Sequence, residues 1–354
     1  MGVAVPPCGA LLVDKPSGPT SHDVVAFTRR LLKTPRVGHT GTLDPLATGL
    51  LVLLVGPATR VAQFLVADEK EYIASVRLGI ATPTYDAASL ADGVRWPMAD
   101  GGGPVADGRW PMGVELEEVL DRFRGSFLQT PPAFSAKKVA GVRAYERARK
   151  SERVVLEPVP VTVRELQVLH HPSDIDHRTS DIDHRPSDIG QRTADAGSPD
   201  ATLLRLRVAV SSGFYVRSLA HELGQALGCG AHLEALRRTR AGRFHVDQAA
   251  TLDVLDRAGA AAAERLIPLN SLLADLPAVT LTPEGLRRAA NGNSLGPGHA
   301  ATGFPRPAEG GDSPSFPRRK AAVPFFRVLG ASGEVLAVAE GRADGLLHPL
   351  LVLR

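Results

Sequence analysis

The chain has 354 residues, 44% of them hydrophobic and 22% charged, with a formal net charge of +3, ordinary figures for a globular protein long enough for two domains with separate cores. No apolar run reaches the roughly 18 residues of a membrane span, and the N-terminus lacks a basic segment followed by an apolar one, so neither a spanning helix nor a secretory signal is read and a cytoplasmic protein is expected. Cys8 and Cys229 are too few and too far apart for a zinc site or a disulfide framework, and no metal is expected.

Ser21 is placed to cap a helix running to about Lys33, with Val24, Phe27, Leu31 and Leu32 on one face and Arg29, Arg30 and Lys33 outside. Next come residues 38–49, Gly38-His39-Thr40-Gly41-Thr42-Leu43-Asp44-Pro45-Leu46-Ala47-Thr48-Gly49, which run straight into apolar Leu50–Val55, a buried strand or helix segment. The glycines around Asp44 permit positive φ and close approach of another molecule, and Pro45 stiffens the chain beside it. Next to so apolar a segment the carboxyl pKa rises unless a cation compensates, so Asp44 needs a partner, an Arg. The alternative is a turn in which Asp44 caps the next helix or closes an Asx-turn. The length of the motif, and the presence of His, Thr and Asp within it, favour chemistry.

In residues 72–78, Tyr72, Ala74, Val76 and Leu78 alternate with Ile73, Ser75 and Arg77, which predicts a strand with Tyr72 on its apolar side. Residues 203–210 alternate in the same way, and after Ser211-Ser212-Gly213 the period changes, so that Val216, Ala220, Leu223 and Leu227 form a helical stripe. Tyr215 and Arg217 therefore sit at a strand-to-helix turn, a usual place for site residues on a rigid scaffold. The residues alone leave open a plain core role for Tyr215 and a surface pair of Arg217 with Glu222. From about Leu276 a C-terminal piece opens with a short helix, Thr282 to Ala290, stopped by Asn291-Gly292-Asn293. Strand-like runs follow at Phe325–Leu329, Val335–Ala339 and Leu350–Leu353.

Three stretches read as disordered insertions. Residues 91–113 repeat Ala-Asp-Gly with Arg-Trp-Pro, residues 171–200 contain Ser-Asp-Ile-Asp-His-Arg repeated with a period of seven from Ser173, and residues 296–324 are rich in Pro, Gly and Arg. Their low apolar content cannot offset the entropy of ordering them. His177 and His184 lie in the second stretch, where no rigid scaffold fixes a coordination geometry. Residues 171–200 hold seven Asp against three Arg and residues 91–113 three against two, a net −4 and −1, which leaves +8 for the rest. A moderately basic body suits a polyanion-binding protein.

Several segments, in order, carry a family resemblance: Gly9-Ala10-Leu11-Leu12-Val13-Asp14-Lys15-Pro16, Thr20-Ser21-His22-Asp23-Val24-Val25, residues 37–49, Lys70-Glu71-Tyr72 with Arg77-Leu78-Gly79, and Gln129 to Lys138 with Arg143-Ala144-Tyr145-Glu146. Ser212-Gly213-Phe214-Tyr215-Val216-Arg217-Ser218-Leu219 and Gly228 to Arg238 complete the set. Together they resemble the bacterial TruB-type tRNA pseudouridine-55 synthases over roughly residues 9–270. The resemblance implies an α+β fold: a pseudouridine-synthase catalytic domain, residues 9–275, with a mixed, largely antiparallel central sheet and flanking helices. A small C-terminal β-barrel (PUA-like) RNA-binding domain, residues 276–354, would follow it.

The resemblance further implies isomerisation of uridine to pseudouridine in the tRNA T-stem-loop by a monomer that needs no cofactor or metal. Catalytic residues would be Asp44, Arg217 as its partner, and Tyr72, which stacks on the base and serves in proton transfer. His39 would fill the space left by the flipped nucleotide, and Tyr72, Tyr215 and Leu236 would line the base pocket. Lys15 is placed with the substrate-binding residues and, like Arg237 and Arg238, is a candidate for phosphate or structural contacts. The glycines of residues 38–49 would make room for the extruded nucleotide. Pro83, where the family commonly has an acidic residue, and Ser89, near a usual glycine, depart from the pattern and bear on the loop Thr82–Asp86. Two other classes stay open. A non-catalytic RNA-binding protein on the same scaffold would not need Asp44, Tyr72 and Arg217 together. A nucleotide-phosphate enzyme would need a Gly-Lys-Ser/Thr ending that residues 38–49 lack.

Overall fold

The segment Thr48–Val55 (β3) is apolar without alternation because both of its faces are covered. Leu51, Leu53 and Val55 join one hydrophobic core, and Leu50, Val52 and Leu54 join a second one on the opposite face. In the computed structural model, which describes residues 7–65, 69–92, 94–95, 114–135, 137–139, 142–144, 147, 156–170, 203–305, 324–342 and 344–353, β3 lies inside a ten-stranded sheet. The other strands are Gly9–Lys15 (β1), Val37–His39 (β2), Lys70–Leu78 (β4), Gly125–Gln129 (β5), Val159–His170 (β6), Leu203–Val210 (β7), Ala231–Ala241 (β8), Phe244–His245 (β9) and Ala250–Thr251 (β10). The main path runs β10-β1-β3-β8-β4-β7-β6-β5, with β2 on β3 and β9 on β8. Only the pairs β1–β10 and β3–β8 are parallel, so the sheet is mixed and largely antiparallel, as expected.

Strands β4 and β7 alternate as their sequences predict. Tyr72, Ala74, Val76 and Leu78 are buried on one face, beside Leu204, Leu206 and Val208. The helices Ser21–Leu31 (α1), Val114–Asp121 (α2) and Val216–Ala226 (α3) cover that face through Val24, Val25, Leu116, Leu120, Leu219 and Leu223. The change of period after β7 is thus a real strand-to-helix turn, with Tyr215 at the N-cap position of α3.

The cap of α1 differs from expectation by one residue. Thr20 is the N-cap: its Oγ1 accepts from the Asp23 N–H (3.1 Å) while Asp23 Oδ2 accepts from the Thr20 N–H (2.8 Å), a reciprocal capping box. Ser21 is instead buried at the first helical position. The helix closes at Leu32, and Lys33 turns into the left-handed region at φ 49°.

A second sheet of five strands follows: Ala278–Leu281 (β11), Ala300–Thr302 (β12), Phe325–Leu329 (β13), Val335–Gly341 (β14) and Leu347–Val352 (β15), in the order β12-β11-β13-β14-β15. Thr282 caps the helix Pro283–Ala290 (α4) through its hydroxyl. This sheet packs on the second face of the first one. Val335, Val338 and Leu351 share a core with Leu50, Val52 and Leu54, Phe325 meets Phe64 edge-on at 5.2 Å, and Arg60 donates to the Val352 carbonyl.

Two expected insertions begin too early. Val94–Arg95 pair with Ile80–Ala81, and Pro297–His299 form a short turn leading into β12, because backbone ladder bonds recruit even polar, glycine-rich stretches at a sheet edge. The expected disorder of residues 96–113, 171–200 and 306–323, together with His177 and His184, lies outside the described residues, as do Tyr145 and Glu146.

Candidate active site

The loop between β2 and β3 carries Asp44, and its backbone is held from several directions. The Ser21 hydroxyl donates to the Leu43 carbonyl (2.9 Å) and accepts from the Leu43 N–H (2.8 Å). On the other side of Asp44, the Pro45 carbonyl accepts from the Gly18 N–H (2.9 Å) and from Lys15 Nζ (3.3 Å). Arg238 donates to the carbonyls of Leu50 (2.7 Å) and Gly41 (3.1 Å). Gly49 is required where β3 meets β8: its φ is +97°, and a Cβ there would stand 2.3 Å from the Arg238 carbonyl oxygen. The glycines therefore serve backbone contact with β8 at Gly49 rather than space for a ligand, which corrects the expectation for that position.

The Asp44 carboxylate goes to Arg217, not to a helix cap. Arg217, in the first turn of α3, lies with its Nε 2.9 Å from Asp44 Oδ2. Its Nη1 donates to the Thr84 carbonyl (3.1 Å) and lies 3.5 Å from Asp86 Oδ2, while Nη2 donates to the Phe134 carbonyl (2.9 Å). Every nitrogen of this buried guanidinium is thus engaged, so the group is fixed in orientation. Asp86 is itself locked by the Thr84 hydroxyl (2.6 Å) and the Ala88 N–H (3.0 Å). Burial pushes the Asp44 carboxyl above its ordinary value; Arg217 pulls it back, Asp86 adds to the rise, and Lys15 opposes it. Although 38% of the Asp44 side-chain surface is open, it opens onto a cavity walled by protein, and desolvation is the largest of these influences.

That cavity has a volume of about 400 Å3 and is lined by Asp44, Tyr72, Phe214, Tyr215, Leu236 and Arg238 among others, a size within the range of small-molecule pockets. Tyr72, Arg238 and Gly49 stand in register across β4, β8 and β3, which ties the aromatic wall to the Asp44 loop. Tyr215 is fixed through its backbone. Its N–H donates to Gln129 Oε1 (2.8 Å), its carbonyl accepts from Gln129 Nε2 (3.1 Å), and burial pushes its phenol pKa up. Phe214 rests edge-on against Phe127 at 6.5 Å.

Asp44, Tyr72, Tyr215, Arg217 and Leu236, predicted from sequence, meet around this one cavity. Arg217 pairs with the two aspartates rather than with Glu222. His39 lies outside the lining, on β2 opposite Leu53, half-buried, with its pKa lowered by burial and by Arg238. Of the two readings of Lys15 the structure fits the structural one and corrects its place among the substrate-binding residues: it is 0% exposed, and its ammonium donates to the carbonyls of Pro16 (2.8 Å), Pro19 (2.8 Å) and Pro45, so it has no surface to offer a phosphate. Arg237 is engaged by both Asp14 oxygens (3.0 and 2.8 Å) and is likewise outside the cavity. The sequence reading passed over Asp86 as part of a divergent loop; its signal was a second aspartate among hydroxyl residues, Thr82, Thr84 and Ser89.

The architecture is that of the pseudouridine synthases. The chain superimposes on an archaeal box H/ACA sRNP Nop10–Cbf5 complex with a TM-score of 0.60 at 22% identity, covering 99% of this chain and 87% of that one. It matches a Cbf5–Nop10–Gar1 complex with a TM-score of 0.58 at 24% identity, covering 94% and 78%. Residues 29–216 match the family described as TruB family pseudouridylate synthase (N terminal domain), and residues 217–276 match the tRNA pseudouridylate synthase B C-terminal domain. The chain belongs to the TruB family. The tRNA pseudouridine synthase B of Thermobifida fusca is 43% identical over 351 residues, 97% of this chain and 98% of that protein, and that of Solibacter usitatus is 39% identical over 352 residues, 98% and 99%. The border between the two matched regions falls at Arg217. Both regions build one sheet, since β8 from the second inserts between β3 and β4 of the first.

Proposed function

We propose that the chain isomerises uridine to pseudouridine in the T-stem-loop of tRNA, as a cytoplasmic monomer, with Asp44 as the reacting carboxylate. An isomerase acting on tRNA uridine is what its family membership gives. The reaction breaks the C1′–N1 bond, turns the uracil and joins C5 to C1′; the proton lost from C5 is balanced by the one gained at N1. Electrons and water are neither consumed nor released, so the chemistry itself asks for no cofactor.

The observation that carries the reading is the Asp44–Arg217 pair, 2.9 Å apart, on the wall of a cavity shared with Tyr72. A carboxylate can attack C1′ or C6, or act as counter-charge and base around a glycal-like intermediate. Each route starts from ionised Asp44, which Arg217 favours against the pull of burial. Extruding a base costs a few kcal/mol, and stacking on side chains returns about 1–3 kcal/mol per base. In this reading Tyr72 supplies the stacking face, with Tyr215 and Leu236 completing the pocket and His39 filling the space the nucleotide leaves.

The test is release of label from an unmodified tRNA transcript labelled at uridine C5, with wild type beside Asp44→Asn. Release by the wild type alone, with tRNA binding kept by the variant, is expected. Release by the variant at the wild-type rate would remove Asp44 from the chemistry, and binding without release by either would leave a non-catalytic binder.

A further inference from the structure

Ser21 touches nothing in the cavity, yet its hydroxyl holds the residue just before Asp44. Leu43 is buried in a loop rather than in a ladder, so its N–H and C=O need partners from elsewhere. A hydroxyl is a small group that can donate and accept at once, and Ser21 does both, at 2.9 and 2.8 Å. Its own position is rigid, because it is the first residue of α1, directly behind the Thr20–Asp23 capping box. The residue after Asp44 is fixed independently, by Gly18 and Lys15 on the Pro45 carbonyl. With both neighbours fixed, the carboxylate has little freedom beyond its own side-chain torsions, and it lies on Arg217.

We propose that Ser21 is a positioning residue for the isomerisation: acting through the Leu43 peptide groups, it sets the place of the Asp44 carboxylate against Arg217 and the cavity. The proposal rests on the reading of Asp44 as the reacting carboxylate. It distinguishes the Ser21 hydroxyl from that of Thr28, about two turns further along the same face of α1, which is also buried but donates only to the Val24 carbonyl (2.9 Å) within the helix. Both hydroxyls contribute to stability, and only one reaches the loop.

The experiment measures single-turnover label release at saturating tRNA, tRNA affinity and thermal unfolding for wild type, Ser21→Ala, Thr28→Val and Asp44→Asn. A displacement of about 1 Å costs up to about 100-fold in rate, so Ser21→Ala, which leaves the loop partly held by Lys15 and Gly18, is expected to lose about tenfold or more with affinity kept. Thr28→Val is expected to lose comparable thermal stability and keep the wild-type rate. The groups facing the Asp44 carboxyl are Arg217 from α3, Tyr215 at its N-cap, Asp86 from the loop after β4 and Lys15 from β1. A carboxyl displaced from Arg217 loses its main opposition to burial, so the acid limb of the Ser21→Ala rate profile should move to higher pH. If Ser21→Ala does not fold, Ser21→Cys, of similar shape with a weaker donor, is expected to lose rate in the same direction. A wild-type rate and acid limb in the folded Ser21 variant, or an equal rate loss in Thr28→Val, would overturn the proposal. Turnover by Asp44→Asn would instead overturn the reading of Asp44, a distinct result.

Discussion

Arg217 bears two carboxylates in different settings, with 38% of the Asp44 side-chain surface open and 7% of that of Asp86. Asp86 is held by a hydroxyl and an N–H, whereas Asp44 faces the cavity, so the same cation anchors one aspartate within the protein and presents the other to the cavity, where the proposed function makes it the reagent. Asp86 also raises the Asp44 pKa across the guanidinium. Asp86→Asn should therefore move the acid limb of the single-turnover rate to lower pH, because Asp44 then ionises more readily; an unmoved limb would show that the two carboxylates do not communicate. Lys15 makes the opposite case, a cation whose folded pKa is lowered by burial to about 8 from 10.5. Between those values the unfolded chain binds more protons than the folded one, so this group's contribution to stability rises with pH across the window. Lys15→Met should remove that part of the slope in urea unfolding measured between pH 8 and 10. It should also destabilise the protein at neutral pH, since the Pro16 and Pro19 carbonyls lose their lysine donor while that of Pro45 keeps the Gly18 N–H, and each lost hydrogen bond costs about 0.5–1.5 kcal/mol.

Local periodicity made most of the elements around the site legible. The alternation in Tyr72–Leu78 and Leu203–Val210 and the stripe from Val216 are properties of neighbouring residues, and they survived folding. What could not be read is non-local. Nothing near Gly49 announces that it lies against Arg238 in parallel β3–β8 pairing, and nothing near Lys15 announces that three carbonyls close around its ammonium. A lysine on a motif shared with RNA enzymes reads equally as a phosphate contact or a structural one until its burial is known. Gly49→Ala tests the element-level account. The new Cβ would stand 2.3 Å from the Arg238 carbonyl oxygen at a φ of +97°, so strain of about 1–3 kcal/mol or more is expected. Because Arg238 also bonds Leu50 and Gly41, the strain should appear both as a lower unfolding midpoint and as a lower rate. A change in stability with an intact rate would uncouple that crossing from the Asp44 loop.

The two sheets are joined by packing, since side chains from β3 and β14 occupy one core and Arg60 reaches the Val352 carbonyl. The two ends from which the acidic repeat departs are placed by the same architecture. The chain leaves β6 at His170 and re-enters β7 at Leu203, two ends that pair with each other at His170–Arg205. The other end of β7, at Val210, leads directly into Ser211 of the cavity lining. Seven steps of about 3.3 Å put the root of the repeat about 23 Å from Ser211, well beyond the screening length of about 8 Å at physiological ionic strength. Deleting residues 173–192, which carry five Asp and three Arg, should therefore leave both the single-turnover rate and the tRNA affinity near wild type at physiological salt. At low salt, where screening reaches about 30 Å, the loss of a net negative charge should strengthen tRNA binding slightly. A large loss of rate or affinity at physiological salt would instead place the repeat against the RNA, and filter binding at two salt concentrations separates the outcomes.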